Sequence, residues 1–150
     1  KIGLYSEIAR ESVKYLIEEI KDLGVQSGRE DMKAYRDQIL SSPGKHHIKI
    51  RNSSDFYSLS SFRDLLFHTK EHRFNLMQIK ELIQDLGLQF CGFEPPDIAN
   101  KLSAVNRGKN AIYDLEVWND FELAHRDLFS GMYVFWCQKK ISGLVHGSSK

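Results

Sequence analysis

FYSLSSFRDLLFHTKEHRFNLMQIKELIQDLGLQFCGFE, residues 56–94, carries the reading of the fold. It predicts a helix, a polar loop dense in ionisable groups, a second helix and an apolar strand. Phe62, Leu65 and Leu66 repeat at helical spacing after a serine cap at Ser58 or Ser60. That period fades at Thr69. The next helix has a strong start: Asn75 is the expected N-cap, Gln78 lies three residues on as in a capping box, and Phe74 and Ile79 take the staple positions. Ile79, Leu82, Ile83 and Leu86 form its expected buried stripe. Gly87 ends it, and residues 88–93 follow as a strand.

Working outward, residues 2–5 form an apolar opening strand. Ser6 is the expected N-cap of the helix that follows, with Glu7 in its first turn and Leu23-Gly24 closing it. A second helix is expected over residues 30–40, with Met32, Tyr35, Ile39 and Leu40 on one side. Ser41-Ser42-Pro43-Gly44 stops it. Residues 45–55 are polar and are expected to be irregular, with a short extended piece at 47–50. Pro95-Pro96 can begin a helix but not continue a strand, and Ile98, Leu102 and Val105 give that helix one face. Asp114 caps a further helix through Leu115, Trp118, Phe121 and Leu123. The run from Met132 to Cys137 is apolar at both alternating sets of positions, the pattern of a central strand covered on two faces, with Tyr133, Phe135 and Trp136 in the core. Three strands separated by helices make an α/β chain with long helical insertions.

Composition narrows the class. The chain has 150 residues, 41% hydrophobic and 27% charged, which is enough to bury a core without staples and suits one domain. The net charge of +1 gives no global field to favour nucleic acid or an anionic membrane. No apolar run approaches membrane-spanning length, and no secretory leader is expected. Cys91 and Cys137 form no CxxC pair and are expected to be buried thiols in a reducing, cytoplasmic compartment. The opening Lys1-Ile2-Gly3-Leu4-Tyr5, a strand already under way, suggests a piece cut from a longer polypeptide.

The polar loop is the chemical centre of interest. His68-Thr69-Lys70-Glu71-His72 matches HxxEH, which on a helix would hold zinc through His68 and His72 with Glu71 as base. The collapse of the apolar period and the new helix at Asn75 place it in a loop instead, and no metal site is expected. His46-His47 has no acidic or cysteine neighbour in sequence. Two readings of the loop stay open: histidines making structural hydrogen bonds, or a substrate-contacting loop whose imidazole and carboxylate exchange protons with a ligand. No GxGxxG, GxxxxGKS/T or GxSxG occurs, so no self-sufficient cofactor or phosphate motif is present.

Four blocks together, residues 2–10 (IGLYSEIAR), 64–74 (DLLFHTKEHRF), 79–94 (IKELIQDLGLQFCGFE) and 129–139 (FSGMYVFWCQK), resemble bacterial class I S-adenosylmethionine-dependent methyltransferases, often fused to tetratricopeptide repeats. The resemblance implies a partial Rossmann-like methyltransferase fold. Residues 2–5, 88–93 and 132–138 would be the fifth, sixth and seventh strands of the 3-2-1-4-5-7-6 sheet, a three-stranded mixed sheet of order 5-7-6 with the seventh antiparallel in the middle. Residues 6–74 would be a helical cap insertion over the substrate pocket, and residues 75–140 the helix, strand, helices and strand that complete a single domain. It implies Tyr5, Ser6, Glu7, His68 and Arg73 as substrate contacts, Arg73 orienting an anionic acceptor, and His72 or Glu71 as the base. The family's glycine-rich loop and ribose-binding acid would lie before Lys1. S-adenosylmethionine is therefore expected for the parent protein and not for this piece, and the methyl acceptor is left open. The edge of the first strand would be exposed, inviting a homodimer or a rearrangement that covers it. The competing class is a non-catalytic protein-interaction module.

Overall fold

The computed structural model describes residues 1–67, 71–105, 108 and 110–140. The chain divides into two compact units. One comprises Lys1–Ser6 with Phe74–Lys150, and the other Glu7–Arg73.

The first unit holds the sheet. The sheet's strands are β1 (Ile2–Ser6), the short β2 (Arg73–Phe74, of which Phe74 falls in this unit and Arg73 in the other), β3 (Leu88–Phe93) and β4 (Met132–Lys139), in the order β2-β1-β4-β3. The last strand thus lies between the first and third, and it is antiparallel to both. Ile2 faces Phe135 and Leu4 faces Tyr133 on one side, and Phe93 faces Phe135 on the other. The protein is α/β with a four-stranded mixed sheet, so the expected three-stranded sheet is corrected by one strand. The additional strand, only two residues long, sits on the edge of β1 that was expected to be open. Short strands of this kind carry no periodicity to read.

Alternation along β4 sends Tyr133 and Phe135 into the core and Met132, Val134 and Trp136 to the opposite face. Phe93, Trp118, Phe129, Tyr133 and Phe135 meet there in edge-on and tilted aromatic contacts with ring centroids 4.8–6.4 Å apart. Trp136, expected in the core, is instead 50% exposed, and its Nε1 donates to Glu94 Oε2 at 3.1 Å. An apolar run shows what both faces can tolerate, not that both are covered. The cysteines depart from expectation in the same way: both are free and only half-buried. Cys91 is the extra residue of a bulge between Phe90 and Gly92.

Helices α5 (Leu76–Asp85), α6 (Pro96–Val105) and α7 (Leu115–Ala124) belong to this unit. The Asn75 side chain accepts from Gln78 N–H while Gln78 Oε1 accepts from Asn75 N–H, each at 2.9 Å, which completes the capping box. Leu76, Ile79 and Ile83 are buried. Leu82 and Leu86, counted in the stripe on spacing, lie on the solvent side, as do Val105 and Leu123.

The second unit is helical: α1 (Glu11–Leu23), α2 (Arg29–Ser41), α3 (Lys45–Arg51) and α4 (Leu59–Leu66). Its own core joins Leu16 and Ile20 from α1, Met32, Tyr35 and Ile39 from α2, Ile50 from α3, and Phe56, Phe62 and Leu66. Gly24 closes α1 at φ 67°, the left-handed conformation, and Val25 N–H reaches back to Ile20 O at 3.0 Å. Two expectations fail here. Ser6 caps no helix; it ends β1, residues 7–10 form a turn, and α1 begins at Glu11. Residues 45–51 form α3 rather than an irregular piece. Only His47 and Ile50 of its seven residues are buried, too few to show a period. Gly44, just before α3, lets the His47 ring approach: a Cβ there would meet His47 Nδ1 at 3.0 Å.

Candidate functional site

The residues singled out by sequence divide between the two units. Tyr5 and Ser6 are on β1 in the first, and Glu7, Glu71, His72 and Arg73 are in the second. His68 lies outside the described residues. Tyr5 and Glu7 are exposed. Ser6 is fully buried. His72 is exposed, and neither it nor Glu71 is in a helix.

Glu71 and Arg73 meet at one cavity of about 340 Å3 in the helical unit. α1 contributes Ile17, Ile20 and Lys21 to its wall, and Leu66 and Phe67 close it from the end of α4. The spacing of Ile17, Ile20 and Lys21 follows from one face of α1, with the cation in the last turn where the helix dipole favours it. Glu71 is not a free base. Arg10 Nε donates to its Oε1 at 3.0 Å and Arg10 Nη2 to its Oε2, with the two side chains only 12% and 14% exposed. This is the two-pronged geometry that a guanidinium offers a carboxylate. Arg73 is placed differently. Among the described residues it forms no ion pair, and its Nη1 is buried with no hydrogen-bond partner. A buried guanidinium nitrogen left without an acceptor is costly.

Two further polar clusters escaped sequence reasoning because their members are far apart in the chain. In the sheet unit, Glu122 (1% exposed) accepts from Tyr133 Oη at 2.8 and 3.0 Å and from Ser6 Oγ at 3.1 Å. Burial pushes this carboxyl above its usual value, while the bonds from Tyr133 and Ser6 pull the other way. In the helical unit, His47 Nε2 lies 2.8 Å from Glu19 Oε2, and His47 Nδ1 lies 2.6 Å from Ser42 Oγ. Tyr35 Oη also donates to Glu19. Burial works against the Glu19 carboxylate, but the bonds from Tyr35 and His47 outweigh it and hold its pKa below 4.5. Burial and the Glu19 carboxylate push the Tyr35 phenol well above its usual range. His47 thus has the acidic partner that its sequence neighbourhood lacked. Both clusters are packed within the fold and act as braces.

A larger groove of about 740 Å3 in the sheet unit, between Lys80, Phe90 and Tyr113, has none of the residues singled out in its lining. It is broad, and Lys80 is paired with Glu116 at 29% side-chain exposure. The smaller cavity, lined by Arg73, whose Nη1 has no hydrogen-bond partner, and by an apolar wall, is the better candidate.

β1 runs into Glu7-Ile8-Ala9-Arg10 and β3 into Glu94-Pro95-Pro96, with no glycine-rich turn leading to a helix N-terminus. Among the described residues no group of three or more His, Cys, Asp or Glu could hold a metal ion, and no helix is long and apolar enough to cross a membrane. No protein-family model and no curated protein sequence matches the chain.

Proposed function

We propose that this chain is the C-terminal, substrate-side region of an S-adenosylmethionine-dependent methyltransferase, working with a cofactor-binding half that the longer polypeptide supplies. The observation that carries the reading is the place of β4: antiparallel, between β1 and β3, the arrangement that the resemblance implies for the fifth, seventh and sixth strands. The bare face of the sheet supports it. Tyr5, Met132 and Trp136 are exposed on the side away from the aromatic core, as expected of half a sheet that is covered on both faces when whole.

On this reading Arg73 holds the anionic end of the acceptor. Glu71, tied by Arg10, braces the loop instead of accepting a proton, which leaves the exposed His72 as the group that takes it. S-adenosylmethionine supplies the methyl group, and its contacts lie in the other half.

The test is titration calorimetry with S-adenosylmethionine on the polypeptide translated from the natural reading frame that carries this chain, beside the 150-residue chain alone. Binding by the longer polypeptide and none by the shorter is expected. No binding by the longer, or tight binding by the shorter, overturns the proposal.

The same exposed face, Tyr5, Met132 and Trp136, also favours a second reading as a protein-interaction module. Calorimetry separates the two, since a module binds no S-adenosylmethionine in either length.

A further inference from the structure

We propose that the cavity between α1 and α4 binds an organic monocarboxylate with an apolar body, the carboxylate taken by Arg73 and the body resting on Ile17, Ile20, Leu66 and Phe67. Three features converge on that class of ligand. The first is charge. Glu71 is already engaged by Arg10, so Lys21 and Arg73 face the cavity as cations with no anion paired to either among the described residues. The second is geometry. The planar guanidinium fork matches two oxygens of one carboxylate, and Arg73 has a buried nitrogen without an acceptor. The third is the wall. Four of the seven residues lining the cavity are aliphatic or aromatic, which suits an apolar body and not a bare, strongly hydrated anion. The volume, about 340 Å3, is at the small end of ligand pockets and sets the scale at a small acid, not a peptide.

Arg10 becomes a positioning residue in this account. By neutralising Glu71 it keeps a carboxylate out of competition for Arg73. That the bound acid is the methyl acceptor rests on the substrate-side reading above; that the cavity binds an acid does not.

The experiment uses the 150-residue chain with octanoate, 1-octanol and inorganic phosphate as probes, followed by calorimetry and by NMR shifts at the Arg73 side-chain N–H groups. Octanoate is expected to bind about ten-fold or more tighter than octanol, the size of one charge-assisted hydrogen bond, and to move the Arg73 resonances. Phosphate is expected to bind more weakly than octanoate. Arg73→Gln should bring octanoate down to the octanol level, and Arg73→Lys should recover part of the difference. Equal affinity for octanoate and octanol, no octanoate binding, or phosphate binding as tightly as octanoate overturns the proposal. If Arg73→Gln does not fold, the three probes on the wild-type chain decide it. A chain that binds octanoate while its longer polypeptide transfers no methyl group refutes the methyltransferase reading and leaves this one standing.

Discussion

Arg10 and Glu71 are 61 residues apart in sequence, yet the Arg10 guanidinium engages both carboxylate oxygens of Glu71 in a largely buried pair. The pair joins the turn before α1 to the segment after α4, and one member, Glu71, lines the cavity. Removing one member strands the other charge. Arg10→Ala or Glu71→Ala is expected to lower stability by about 2–4 kcal/mol. The double variant Arg10→Met/Glu71→Gln is expected to recover most of that loss. Urea unfolding of the wild type, Arg10→Met, Glu71→Gln and the double variant in a double-mutant cycle is the check, and a loss in the double variant equal to the sum of the two single losses would refute the pairing.

Glu122 makes stability fall as pH rises. Its folded pKa is raised, so the native state holds the proton more tightly than the unfolded chain does. The stabilisation is complete below about pH 4.5, the unfolded value, and is lost as pH climbs through the raised folded value. Glu122→Gln, which keeps the shape and cannot titrate, should flatten this part of the profile. Denaturant midpoints of both proteins between pH 4 and 8 will show whether their difference changes across that window.

Glu19 acts with the opposite sign. Its folded pKa is lowered, so its contribution is present above pH 4.5 and disappears as pH falls through the lowered value. At pH 7 Glu19→Gln should cost about 1–2 kcal/mol through the weakened bonds to His47 and Tyr35. Near pH 3 the two proteins should converge. A constant gap across pH would show that the carboxylate charge is not what matters.

Asn75 and Gln78 start α5 by a reciprocal pair of bonds. Asn75→Ala is expected to cost about 1 kcal/mol, and Asn75→Asp to cost little. Thermal unfolding distinguishes them, and equal losses would mean that the side-chain oxygen is not the source of the effect.

Local devices were legible in the sequence, and contacts between distant segments were not. The capping box at Asn75, the left-handed close at Gly24 and the helix start at Pro96 each depend on residues within one turn of one another. α3 was missed because two buried positions in seven residues make no period, and the acid that holds its buried His47 is Glu19, 28 residues earlier. Trp136 was misplaced because alternation assigns faces but not what covers them. The site follows the same rule. Glu71 and Arg73 stood out as ionisable loop residues, but nothing local marks Arg10 as the partner of one, or Ile17 and Lys21 as the wall beside the other.

The most direct measurement is methyl transfer itself. The polypeptide from the natural reading frame, wild type and Arg73→Gln, is incubated with tritiated S-adenosylmethionine and cell extract, and the labelled acceptor is then isolated for kinetics. The account predicts transfer to an acid-bearing acceptor, a KM for that acceptor raised about ten-fold or more by Arg73→Gln, and unchanged S-adenosylmethionine binding. Absence of label, or an acceptor KM indifferent to Arg73, would contradict it.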